Sequence, residues 1–408
     1  MNAWRLTAAA AWMALVAAIT LLPGRAPDFY TVSMGCLICG TRGSADAILN
    51  MTLFLPLGFL LGGGARALMR ALVAGILLST GIEVAQMFIP GREATLSDVA
   101  WNGLGSALGV GLHALVRARL TSGARAPGWM GRAAAVAAGS GVLAVGVLLE
   151  PSPTNDRYWG QWTHELGQMP RYPGTLLDAR LDGRPVPPGR FPPDRDPASA
   201  LSGDWRLEVI VQTGPPTRGL SPILSIADDA QREIVLLGAD GDDIVWRERL
   251  RAAAFRFDQP NLRLVGGLAP FEAGDTVRLG VRRVGADRCM SVAGAETCGY
   301  AFTAGRGWSI LLQSAGMSQG RRKAMDVLWL MLIFLPVGFF SHGRRAMAAN
   351  GLFAALWFAV AVGLTSLVVS PAAEIAGGVA GLLLGWQAAR VTAPARSSPP
   401  GSGRRAES

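Results

Sequence analysis

Phe54-Leu55-Pro56-Leu57-Gly58-Phe59 and Phe334-Leu335-Pro336-Val337-Gly338-Phe339 are nearly one string written twice, each inside a long apolar run. Gly64 and Arg66 follow the first string; Gly343 and Arg344 follow the second. A proline inside a helix frees a carbonyl and kinks the chain, which membrane spans tolerate better than helices in water. Outward from these strings, apolar runs occupy residues 4–22, 45–62, 67–88, 96–116, 132–150, 324–341, 346–369 and 372–389. A helix of about 17 or more apolar residues crosses the hydrocarbon, so the pattern predicts a polytopic α-helical membrane protein with eight spans. Asp98, Asn102, Gly105 and Gly109 correspond in order to Glu374, Gly378, Gly381 and Gly385. The reading is two duplicated four-helix halves, with run 132–150 answering run 4–22 and both halves pointing the same way. Small residues at this spacing give helices a flat face for close packing.

Half of the chain is hydrophobic and its formal net charge is +9. Residues 151–319 hold 19 Arg against 20 Asp and Glu, so the positive excess sits in the apolar flanks. Positive charge scattered between apolar runs excludes a nucleic-acid binder, which would gather it on one folded surface. Arg5, Arg66, Arg70, Arg117, Arg119, Arg125, Arg132, Arg344 and Arg345 share one face with the Arg-rich tail; the opposite short loops offer Arg25, Arg42 and Arg92, with Arg321, Arg322 and Lys323 as the exception. The excess of short-loop positive charge predicts cytoplasmic termini and an extracytoplasmic 151–319 segment. Arg5 and the run after it also fit a cleaved signal peptide, but no small-x-small site follows them.

Packing does not explain one set of residues. Glu83 and Gln86 stand three apart near the outer end of the third helix, and Asp98 and Asn102 four apart on the outer half of the fourth. Pro90-Gly91-Arg92 joins those helices, and Asp46 and Asn50, again four apart, begin the second helix on the same side. Ionisable groups near hydrocarbon are functional candidates by default. The set reads either as a ligand site for a headgroup or small polar molecule, or as a salt-bridged hairpin cap with Asp98 paired to Arg92. The 280-residue offset of the FLP strings puts Gly363 and Ser366 where Glu83 and Gln86 stand, so at most one half is expected to carry the site.

The order Asp46-x-x-x-Asn50, Phe54-Leu55-Pro56-Leu57-Gly58, Glu83-x-x-Gln86, Pro90-Gly91-Arg92, Asp98-x-x-x-Asn102-x-x-Gly105-x-x-x-Gly109 resembles the VanZ-like membrane protein family over residues 1–116. Known relatives contribute to low-level teicoplanin resistance. The resemblance implies a bacterial inner-membrane location and an envelope role for the cluster, not a reaction. Residues 325–389, with 132–150, would be a degenerate second copy, lacking the Glu-x-x-Gln pair and the Pro-Gly-Arg turn.

Residues 151–319 read as short strands over 205–212, 222–227, 233–237, 243–249, 261–265, 276–283, 288–293 and 308–313, separated by turns. Two packed antiparallel sheets follow from this spacing. Cys289 and Cys298 flank a candidate hairpin and, outside the cytoplasm, are expected to be bridged. Cys36 and Cys39 suit a local disulfide, with a redox dithiol or free thiols as alternatives. The strings of 221–251 resemble concanavalin A-like jelly rolls of the laminin G type, which implies lectin-like binding to a glycan or peptidoglycan-related component. Asp240, Asp242 and Asp243 leave calcium as an alternative to a plain hairpin turn; no other metal or cofactor is expected.

The organisation expected is a membrane domain over 1–120, a linker and fifth span over 121–150, the β-sandwich over 151–319, three further spans over 320–390 and a disordered tail over 391–408. No nucleophile stands beside a histidine, and His113 lies toward the far end of the fourth helix. A non-catalytic envelope protein with membrane lipids as partners is therefore predicted, against two alternatives: a transporter of an envelope precursor, and an enzyme acting on a lipid-linked sugar. Oligomeric state is not encoded in any of these features. Reporters fused after residues 120, 343 and 395 should read as cytoplasmic and one inserted near residue 185 as external; a cytoplasmic signal at 185 overturns the orientation.

Overall fold

A computed structural model describes residues 3–23, 36–64, 66–92, 94–122, 128–154, 156–167, 169–192, 197–313 and 316–392. Arg25, Arg125 and the expected disordered tail from 393 lie outside the described residues. The helices are α1 (Ala3–Thr20), α2 (Gly43–Leu61), α3 (Ala67–Gln86), α4 (Leu96–Ser122), α5 (Trp129–Leu148), the short α6 (Ala198–Ser202) and α7 (Arg251–Ala254), then α8 (Gln319–Phe340), α9 (Gly343–Leu364) and α10 (Ala372–Val391). Among the described residues seven of them, α1 to α5 with α8 and α9, are long and apolar enough to cross a membrane. This corrects the expectation of eight. Glu374, Gln387, Arg390 and the glycines of α10 dilute its apolar content. The even-count reason for placing both termini on one side lapses with it.

Two helix pairs touch backbone to backbone. A Cβ added at Gly58 of α2 would lie 1.8 Å from the Ser106 carbonyl oxygen of α4; one at Gly105 would lie 2.3 Å from Met51 O, and one at Gly109 2.1 Å from Leu55 O. In the second pair, Gly338 of α8 would meet Leu382 O of α10 at 1.8 Å, Gly381 would meet Met331 O at 2.1 Å and Gly385 would meet Leu335 O at 2.1 Å. The α2 positions map onto α8 by adding 280, and the α4 positions onto α10 by adding 276, at every one of these contacts. Pro56 and Pro336 take matching places within α2 and α8.

Between α5 and α8 the described residues form eleven strands: β1 (Tyr158–Trp162), β2 (Thr175–Leu181), β3 (Arg184–Pro185), β4 (Trp205–Gln212), β5 (Ser221–Asp228), β6 (Glu233–Asp240), β7 (Asp243–Glu248), β8 (Leu262–Leu264), β9 (Thr276–Val284), β10 (Asp287–Val292) and β11 (Ala295–Thr297). They pair as two open sheets, β1-β5-β6-β7-β8 and β11-β10-β9-β4-β2-β3. Neither sheet closes, so the jelly-roll expectation is corrected, and the laminin G-type lectin reading falls with it. The strand expected over 308–313 is instead part of a 3-10 turn, Ala304–Ile310. β4 alternates buried and partly or fully exposed residues, while β5 is buried along its whole length. Trp205 of β4 and Trp246 of β7 pack with ring centroids 5.1 Å apart and planes tilted by 43°, and the buried Glu248 of β7 pairs with the buried Arg288 of β10. The same apolar core runs on into Val142, Val145 and Leu149 at the end of α5, Leu330 of α8 and Ala361 of α9.

Both cysteine pairs, Cys36–Cys39 and Cys289–Cys298, are disulfides. Gly58→Ala and Gly338→Ala should each cost roughly 1–3 kcal/mol by overpacking. Gly141→Ala, where nothing stands within 4 Å, should be neutral. Denaturant titration of the purified full chain measures all three, and neutrality at Gly338 refutes the backbone seam.

Candidate functional site

The glycine seam places the first turns of α2 and α4 side by side, which is where the polar residues sit. Asn50 Nδ2 donates to Asp98 Oδ1 at 2.6 Å across the pair. Asp46, one turn earlier on α2, is exposed and makes no hydrogen bond or ion pair among the described residues. It stands one turn before Asn50, the partner of Asp98, and one turn after Arg42, whose positive charge acts on it.

The other expected members serve different contacts. Glu83 is 8% exposed, and its Oε2 accepts the Thr95 backbone N–H at 2.6 Å, fixing the turn from α3 into α4. Thr95 Oγ1 in turn accepts the Asp98 N–H at 3.3 Å, capping α4. Gln86 Nε2 donates to Thr20 O at the end of α1. Asn102 Nδ2 donates to Ser79 Oγ at 2.8 Å between α4 and α3. Arg92 directs its Nε to Leu22 O at 2.9 Å and pairs with neither Glu83 nor Asp98. Of the seven expected residues, Asp46, Asn50 and Asp98 thus form one open group; Glu83, Gln86, Arg92 and Asn102 tie helices together.

A clamp runs over this end of the bundle. Leu37 O, inside the Cys36–Cys39 bridge, accepts Ser97 Oγ and Trp101 Nε1 at 2.9 and 2.8 Å. Arg42 pairs with Asp258 of the β region at 3.2 Å and donates to Leu311 O at 3.1 Å. Ser44 N donates to Arg256 O, and Arg256 Nη1 to Ile38 O. Burial holds the Asp258 carboxyl above the ordinary carboxylate range, with the Arg42 guanidinium opposing it.

The seam offset also exposes a residue that motif comparison missed. Adding 280 to Asp46 gives Asp326, and adding 276 to Asp98 gives Glu374, so the second half keeps a carboxylate pair at the same place. The offset that carries the FLP strings onto each other thus carries Asp46 onto an acid, although it carries Glu83 and Gln86 onto Gly363 and Ser366. Trp308 Nε1 donates to Asp326 Oδ1 at 2.7 Å, and Thr303 Oγ1 donates to Glu374 Oε1 at 2.9 Å.

The calcium alternative does not fit the residues: Arg263 pairs with Asp240 at 2.5 Å and with Asp243 at 3.4 Å, filling the acidic turn with a cation already. Cys289, Glu296 and Cys298 gather within metal-ligating range, but the two thiols are bridged and Glu296 pairs with Arg282 at 2.9 Å.

Residues 7–117 match the VanZ/LLP1 family model. The match takes in α2, α3 and the whole candidate site from Asp46 to Asn102, and stops before α5. No curated protein and no solved structure matches the chain. Within the VanZ-like segment, Glu83 acts as an acceptor for a backbone donor. Glu83→Gln keeps an oxygen there and should leave folded yield near wild type; Glu83→Leu strands the Thr95 N–H and should cost roughly 1–3 kcal/mol. Equal stability of the two variants in a thermal melt overturns that role.

Proposed function

We propose that the chain is a non-catalytic, multi-pass protein of the bacterial inner membrane, its β region on the outer side, and that the open carboxylate group of the VanZ-like segment binds the polar head of a lipid. The observation that carries this reading is Asp46, an exposed acid in the first turn of a span, beside a second carboxylate and without a hydrogen bond or ion pair among the described residues. Carboxylates near hydrocarbon cost several kcal/mol unless paired. Headgroups are the polar partners present at that depth. The distribution of short-loop arginines supports the orientation.

The histidines support a binding role over acid-base chemistry. His113 sits 3.1 Å from Arg5 toward the opposite end of the bundle, and His164 sits 3.3 Å from Ser225 within the β region. His342 precedes α9. None of the three hydrogen-bonds to Asp46 or Asp98 among the described residues.

The test is lipid retention by the purified full chain after delipidation and re-addition of a mixed polar lipid extract, read by native mass spectrometry. Wild type should retain lipid, and Asp46→Asn or Asp98→Asn should lower retention about tenfold at unchanged helix content, as expected for loss of a charge-assisted contact. Equal retention by wild type and both variants refutes the headgroup reading.

A further inference from the structure

At the end of the bundle away from the carboxylates, α2 runs out into Gly62-Gly63-Gly64, and Gly63 and Gly64 have φ of 102° and 88°, the left-handed region that favours glycine. Arg5 of α1 donates its Nη2 to Phe59 O at 2.9 Å and to His113 Nδ1 of α4 at 3.1 Å. A guanidinium only donates, so His113 Nδ1 accepts and the ring proton sits on Nε2. A Cβ added at Gly63 would stand 3.4 Å from that Nε2 and 3.6 Å from Arg5 Nη1. One added at Gly64 would stand 3.7 Å from Arg70 Nη2 of α3, which also donates to Gly63 O at 2.8 Å. N–H donors from three helices therefore line the space that side chains on this loop would fill.

These donors are left over. Arg5 Nη1, His113 Nε2 and the backbone N–H groups of Gly63 and Gly64 have no hydrogen bond among the described residues. No carboxylate balances their charge, because residues 1–27, 51–82 and 99–149 contain no Asp or Glu. Helix capping does not account for the arrangement either. In the second half, 280 residues on, Arg119 donates to Phe339 O at 3.0 Å, doing for α8 what Arg5 does for α2, but it is itself buried and gives its other bond to Ser341 O. The turn there is His342-Gly343-Arg344, with one glycine where the first half has three. A cap thus requires neither the open guanidinium nitrogen nor the glycine run. Free N–H groups on a glycine loop, with two guanidiniums and an imidazole around it, suit an oxyanion with several acceptor oxygens.

We propose that the Gly62–Gly64 loop, with Arg5, Arg70 and His113, binds a phosphate group at the end of the bundle expected in the cytoplasm. The site is at the opposite end from Asp46 and does not depend on the headgroup reading above.

The experiment is a native mass spectrometry titration of the full chain with phosphatidic acid and with diacylglycerol of the same acyl chains, which lacks the phosphate. Phosphatidic acid should bind at least about tenfold more tightly, the order of one or two charge-assisted hydrogen bonds. His113→Phe keeps a ring against Phe59, 5.3 Å away between centroids, and removes the Nε2 donor; Arg70→Gln keeps an N–H for Gly63 O and removes the charge. Each should lower phosphatidic acid affinity about tenfold while diacylglycerol binding and helix content stay unchanged. Arg344→Gln, an exposed arginine at the same end of the second half, should leave the preference intact. Equal binding of the two lipids, or unchanged affinity in both variants, overturns the proposal. So does an equal loss in Arg344→Gln, which would show a diffuse basic surface in place of a site. Inorganic phosphate added at the lipid concentration distinguishes the sources: displacement of phosphatidic acid supports the site and assigns it to a free phosphate, and retention supports it and assigns it to the lipid. Failure of both phosphatidic acid and inorganic phosphate to bind overturns it.

Discussion

When two helices meet backbone against backbone, side chains along the seam are excluded and those just beyond it are forced together. Gly58, Gly105 and Gly109 impose this on α2 and α4, as Gly338, Gly381 and Gly385 do on α8 and α10. Contact this close is how helices associate where lipid removes the hydrophobic drive. The seam fixes rotation as well as distance, because each of these glycines meets a backbone carbonyl of one particular residue on the facing helix. The polar residues about two to three turns beyond the outermost of these glycines then have no choice of neighbour. Asn50 meets Asp98 for that reason, and Asp326 lies beside Glu374 for the same one.

Much of this was legible in the sequence because it rests on local rules. The FLP strings and the glycine spacing mark the seam directly, and alternation along 205–212 marks β4 to the residue. What was not legible depends on tertiary choice. Strand patterns give sheets but not their closure, so two open sheets and a jelly roll read alike. Trp308 to Gln313 is an apolar run that fits a strand or a buried turn equally well. β2 hides among Pro- and Gly-rich neighbours yet lies inside the six-stranded sheet. Arg92 was expected near Asp98 on charge alone, but a guanidinium at a helix boundary is also satisfied by a carbonyl, and Leu22 O supplies one.

The β region is continuous with the bundle. Its core merges with α5, α8 and α9, and its turn at 254–258 grips the start of α2. The inserted sheets are therefore part of how both carboxylate pairs are framed: the Arg42–Asp258 contact roofs one, and the Ala304–Ile310 turn fills the other.

The difference between the two pairs follows from what each connection brings. Into the second half the chain arrives from the β region carrying an indole, a guanidinium, a hydroxyl and a free backbone N–H, all of them donors. At the corresponding point of the first half, the described part of the connection between α1 and α2 brings a carbonyl, Leu37 O, which takes up the donors of Ser97 and Trp101. One half is thus supplied with donors for its acids by the incoming connection, while in the other the connection takes up donors of α4 and the half-buried acid is served from α2, by Asn50. Burying a carboxylate without a donor is costly wherever water is scarce. Asp98, half-buried, meets that cost with Asn50, and Asp46 avoids it by staying exposed, which leaves Asp46 as the acid of the four without a hydrogen bond among the described residues.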